Sequence, residues 1–161
     1  MKARQERELL RLYDAARTLG RELLIEIIAS KHGPVSEEAV ARVVARLYEI
    51  GIKPDWWKLE GQASAAAWDR IADAIDAGDP LCRGIMLLGL DAPEDDLAKS
   101  FAIARRRRHV RGFAVGRTIF MPPARDWLAG RIDDAEATRA MADSFARLCA
   151  LWETGAAAAL R

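Results

Sequence analysis

Neither sign of charge is in excess in this 161-residue sequence, where 25 Lys and Arg stand against 24 Asp and Glu. Such a balance supplies no global field to attract nucleic acid or an anionic membrane, so any basic site must be local. Long hydrophobic runs are missing too. The opening stretch MKARQERELLRLYDAARTLG is charged from the start and lacks the apolar core of a signal peptide or membrane span, which predicts a soluble, unprocessed chain without membrane partners. Cysteine is scarce. Cys82 and Cys149 are far apart, with neither metal-type spacing nor the density of a secreted disulfide framework, and a reducing cytoplasm is the expected setting. His32 and His109 are solitary, so neither is offered as a metal ligand and both are expected to be exposed. With no repeat, low-complexity linker or break in composition, residues 1–161 are expected to form one domain.

What is present is an alternation. An apolar fraction of 51% is enough to bury a core. Leu9, Leu12, Tyr13, Ala16 and Leu19 recur at helical spacing over residues 4–19, and Gly20 can end that helix in the left-handed conformation. The run RELLIEII then reads as a buried strand. Ser36 is placed to cap a second helix, with Val40, Val43, Val44 and Leu47 on its apolar face and Gly51 past its end. A strand around WWKLE follows. Ser64 is placed to cap a helix carrying Trp68, Ile71 and Ile75 that stops at Gly78, before a third strand at 84–90. Asp91 and Glu94 have capping-box spacing, Leu97 and Phe101 face inward, and GFAVGRTIF supplies a fourth strand at 112–119. After Pro122 and Pro123 come a short helix around Trp127 and a long one whose stripe is Ala137, Met141, Phe145, Leu148 and Trp152; the Ala-rich tail is expected to fray.

Strict strand–helix alternation with apolar strands predicts an α/β fold built on a parallel sheet, covered on both faces and joined by right-handed crossovers. Side chains alternate across a strand, so if Leu23, Ile25 and Ile27 lie under the helices, Glu26 points to the opposite, inner face. The same parity places Trp56, Lys58 and Glu60 together on the next strand. An acid and a lysine on adjacent strands can meet. Burial disfavours an ammonium, only the neutral amine attacks a carbonyl carbon, and a neighbouring acid can shuttle the protons as an imine forms.

The segments ELLIEII, PDWWKLE, LLGLDAPEDDLAKSF and GFAVGRTIF resemble, in order, the aldolase-like domain that follows the sugar kinase in bacterial 5-dehydro-2-deoxygluconokinase proteins. That domain is similar to tagatose 1,6-bisphosphate aldolase, a class I (β/α)8 barrel. The resemblance covers nearly the whole chain and corresponds to the last four of the family's eight strands, which implies a (β/α)4 half of a TIM barrel. It implies Lys58 as the imine-forming lysine and Glu26 as its acid partner. Gly116 and Arg117 resemble the Gly-Arg pair near the substrate phosphate, and Gly89 is a further candidate for backbone donors. Physically, glycine admits an anion to backbone N–H groups and arginine offers a planar fork of donors. The implied substrate is a phosphorylated keto sugar such as 2-deoxy-5-keto-gluconate 6-phosphate, cleaved to dihydroxyacetone phosphate and malonate semialdehyde with no cofactor or metal.

Other readings of the same residues stay open. Glu26 and Lys58 can be an internal ion pair that sets strand register. Trp56 and Trp57 read mainly as packing, one ring inside the barrel and one under a helix. Arg105 to Arg108 read as a solvated helix end rather than a nucleic-acid patch. Gly116 can simply start a turn while Arg117 pairs with a carboxylate. A four-stranded half barrel exposes two parallel edges, so either a homodimer closing eight strands or a complementary half-barrel partner is expected. The alternative to catalysis is a half barrel that binds sugar phosphate or a partner protein without reacting.

Overall fold

The computed structural model describes residues 2–155; the Ala-rich tail expected to fray lies outside them. The elements are α1 (Lys2–Thr18), β1 (Leu24–Ile27), α2 (Ala39–Glu49), β2 (Trp56–Leu59), α3 (Ala65–Gly78), β3 (Gly84–Leu88), α4 (Glu94–Ala104), β4 (Val110–Ala114), α5 (Arg117–Leu128) and α6 (Asp134–Thr154). The four strands form one parallel sheet in the order β1-β2-β3-β4, so the chain is a (β/α)4 half barrel. Among the described residues no helix is long and apolar enough to cross a membrane.

Helix ends follow local chemistry in several places. Gly20 (φ 61°) and Gly51 (φ 88°) end α1 and α2 in the left-handed region that a side chain would disfavour. Ser64 Oγ accepts from Ala67 N–H and opens α3. Ser36 does not cap α2: the helix starts three residues later, and it is the Ser36 carbonyl that accepts from Ala39 in a preceding turn. Nor do Asp91 and Glu94 form a capping box. Pro93 occupies the cap of α4, and Leu90 and Asp91 are both left-handed (φ 48° and 59°), which swings Asp91 away from the helix amides. The reciprocal box is instead at Asp133 and Glu136, at the start of α6.

Strand parity holds throughout β1 and β2. Leu23, Ile25 and Ile27 are buried beneath the helices, whereas Leu24 and Glu26 are exposed on the inner face. Trp57 and Leu59 are completely buried, with Val44, Ile71, Ile75, Ile85, Leu87 and Phe101. Truncating any of the larger of these would cost about 3–5 kcal/mol. The helices cover one face of the sheet only, which corrects the expectation of two covered faces. A half barrel's concave face has to be covered by strands opposite it, and Leu24 is 44% exposed. Trp56 and Trp57 divide as parity requires: Trp57 Nε1 donates to the buried Tyr48 hydroxyl at 2.8 Å, while the half-buried Trp56 donates to Glu22 at 2.9 Å.

β4 ends at Ala114, short of the expected 119, and the residues RTIF open α5. Its prolines, Pro122 and Pro123, sit inside that helix, past its first turn, and have no N–H to give to the Thr118 and Ile119 carbonyls. The long stripe on α6 is partly out of the core, since Phe145 is 52% exposed. The arginine run ties elements together: Arg105 caps the end of α6 through the carbonyls of Trp152 and Glu153, and Arg108 reaches Asp73 and Asp76 on α3. His109, expected to be exposed, is half-buried, its Nε2 2.6 Å from Asp76. The His32 side chain lies outside the described residues.

Candidate functional site

The parallel register sets Glu26 directly opposite Lys58 on β1 and β2. With both side chains on the inner face, Lys58 Nζ lies 3.0 Å from Glu26 Oε1. The pair is partly solvated, the lysine side chain being 27% and the glutamate 40% exposed, so the poorly solvated lysine expected from the strand pattern is not enclosed within the single chain.

These two residues form one wall of a cavity of about 200 Å³ at the carboxyl ends of the strands. The opposite wall is the β4–α5 junction, Ala114 to Thr118, and the floor between them is Leu88 at the end of β3 with Gly89 and Leu90 after it. All five residues singled out in the sequence, Glu26, Lys58, Gly89, Gly116 and Arg117, therefore line a single cavity.

Their local roles differ from the sequence reading in two respects. Gly116 and Arg117 do not end a strand: Gly116 is the N-cap of α5 and Arg117 its first residue. The first amides of a helix have no intrahelical acceptor, so α5 directs N–H groups and the positive end of its dipole toward the cavity. Gly89 is needed for close packing, because a Cβ there would come within 2.9 Å of Val115 Cγ1. The Gly89 carbonyl also accepts from Ala92 N–H at 2.8 Å.

Asp91, Thr118 and Phe120 also line the cavity, and none of them was expected from the sequence to be a site residue. Asp91 Oδ2 lies 2.8 Å from Arg117 Nη1, the carboxylate partner that the plainer reading of Arg117 anticipated. Thr118 Oγ1 donates to the Ala92 carbonyl at 3.1 Å and fastens α5 to the β3–α4 loop. Asp91 was concealed by its capping-box spacing; only the left-handed backbone at Leu90 and Asp91 turns it toward Arg117.

A second cavity of about 310 Å³ lies beside the first, bordered by Ser30, Glu60, Gly61 and Ser100. Its buried acid is already engaged: Glu60 accepts from the Ala29 and Ser30 amides and from the Ser30 hydroxyl, holding the β1–α2 loop over β2. Among the described residues no group of three or more His, Cys, Asp or Glu side chains is placed to hold a metal ion.

No curated protein matches the chain in sequence. A family model does match, over residues 1–156, a span that contains every strand and every residue of the cavity. The chain thus belongs to the family described as "Uncharacterized protein conserved in bacteria (DUF2090)".

Proposed function

We propose that the chain acts as a class I, Schiff-base aldolase on a phosphorylated keto sugar such as 2-deoxy-5-keto-gluconate 6-phosphate. The observation that carries this reading is the placement, around one cavity, of a lysine 3.0 Å from a carboxylate and, across from it, an arginine at a helix N-terminus. Lys58, as the free amine, adds to the substrate carbonyl carbon, and loss of water yields the imine. Glu26 takes the proton that Lys58 gives up and returns it to the departing oxygen. Once protonated from solvent, the imine accepts the electron pair released when the bond between its α and β carbons breaks as the β-hydroxyl loses its proton and becomes the aldehyde; the resulting enamine takes up a proton at the α carbon, and hydrolysis regenerates the amine. The substrate phosphate is held by Arg117 and the first amides of α5, the arrangement that barrels use after their last strands. The resemblance described above supports the same assignment, and the two unpaired cysteines, Cys82 and Cys149, suit a cytoplasmic setting.

The exposure of the pair favours a second reading, a half barrel that binds sugar phosphate without reacting. Glu26 at 40% and Lys58 at 27% exposure leave water at the reacting centre. Borohydride reduction in the presence of dihydroxyacetone phosphate, followed by peptide mass mapping of every lysine, separates the two. A stable adduct on Lys58, absent in Lys58→Ala, is the expected result. A folded sample that binds the phosphate and yields no adduct overturns the catalytic reading in favour of the second.

A further inference from the structure

Among the described residues both outer strands of the sheet have one unpaired edge, β1 on one side and β4 on the other. The helices flanking these edges expose large apolar side chains on the side that faces away from their neighbours. On α1, Glu6 meets Arg46 of α2 and so marks the inward flank. At 100° per residue the apolar arc runs from Tyr13 through Ala16 and continues, on the flank away from Glu6, to Leu12, 53% exposed, with Leu19, 71% exposed, just past the helix end. On α6, Ser144 and Arg147 meet Glu94 of α4 and mark its inward flank. Its arc continues on the other flank through Met141 to Phe145, 52% exposed, whose ring lies 6.3 Å from Phe113 on β4. Each terminal helix thus carries its apolar surface past the last strand it covers.

We infer that a second copy of this chain covers both edges at once, closing an eight-stranded parallel barrel about a twofold axis. The axis places β4 of each copy beside β1 of the other, so the two junctions are identical and each joins a Leu12 flank to a Phe145 flank. Strand direction is satisfied because all four strands are parallel and the partner continues the order. Four and four strands also make the size at which a barrel interior is filled by side chains, which supplies the cover that Leu24 and Glu26 lack. The inference is independent of the catalytic reading, but it bears on it, since closure walls the Lys58 cavity off from bulk water.

The experiment is light scattering on the full chain and on two single variants, Leu12→Glu and Phe145→Lys, each at an exposed position so that folding is retained and is checked by circular dichroism. The wild type is expected at twice its 17.8 kDa. Each variant alone is expected to be monomeric, having a charge at both junctions. An equimolar mixture is expected to recover the dimer, because the heterodimer has one Glu–Lys junction and one Leu–Phe junction. A monomeric wild type, variants that remain dimeric, or a mixture that stays monomeric overturns the inference. Borohydride trapping reads Lys58 separately, so either idea can fail alone.

Discussion

Lys58 and Glu26 are register partners on adjacent parallel strands, with 3.0 Å between Nζ and Oε1. Because both retain contact with solvent, their attraction is screened, and a pair of this kind contributes at most about 1 kcal/mol to stability. A double-mutant cycle of Lys58→Met and Glu26→Gln, built in the monomeric Leu12→Glu background where the pair keeps that solvent contact, is expected to give a coupling energy below that value by urea unfolding, with both variants folded. A coupling above about 3 kcal/mol would mark a desolvated pair kept for strand register. The same variants separate the chemical roles: Lys58→Met abolishes borohydride trapping, whereas Glu26→Gln leaves the amine in place and slows adduct formation.

In the proposed binding mode Asp91 is the competitor of the substrate phosphate for Arg117. The two side chains are 2.8 Å apart and about half exposed, so the contact is readily exchanged. Asp91→Asn removes the charge, and Asn tolerates the left-handed backbone found there (φ 59°). Affinity for inorganic phosphate, measured by titration calorimetry, is expected to rise several-fold in Asp91→Asn and to fall by about tenfold, or 1.4 kcal/mol, in Arg117→Ala. Weaker binding in Asp91→Asn would mean that the acid orients the arginine for the anion.

Glu26 and Lys58 were legible in the sequence because strand parity has a period of two, and consecutive parallel strands bring like positions side by side. Where helix ends depend on a single local bond, as at Ser64, they were legible for the same kind of reason. VGRTIF misled because Val115, Thr118, Ile119 and Phe120 have strong strand preference, yet the chain turns at Gly116 into α5. Spacing at Ser36 and Asp91 mimicked capping while the backbone set helix starts elsewhere. The missing cover over the inner face could not be read from strand composition, since an apolar strand looks the same whether its cover comes from its own chain or another.

Trp57 and Tyr48 form a closed polar contact in the core, Nε1 to hydroxyl at 2.8 Å, with the rings edge to face at 5.6 Å. Burial holds the Tyr48 phenol above its ordinary pKa, so it remains a neutral acceptor. Tyr48→Phe is expected to cost about 1–3 kcal/mol because it strands a buried indole N–H. Adding Trp57→Phe should cost less than the two single changes summed, since no unpaired donor is left. Strict additivity in chemical denaturation would show that water already satisfies the indole.

Acid is expected to loosen α6 from α4. The bidentate Arg147 guanidinium holds the Glu94 carboxyl below its usual range, against burial, and the buried Ser144 hydroxyl adds a third bond. At Asp55 burial pushes the carboxyl up, but Arg17 and the Leu23 amide outweigh it and the net shift is also downward. A folded-state pKa below the unfolded one means that the ionised contact is fully stabilising above the ordinary carboxylate range, about pH 4, and is lost as the pH falls through the lowered value. Melting temperature should therefore be flat near neutrality and decline on the acid side. In Glu94→Gln the neutral melting temperature drops and the acid decline becomes shallower, because one of the linked protons is gone. An acid limb as steep in Glu94→Gln as in the wild type would place the linkage on other carboxylates.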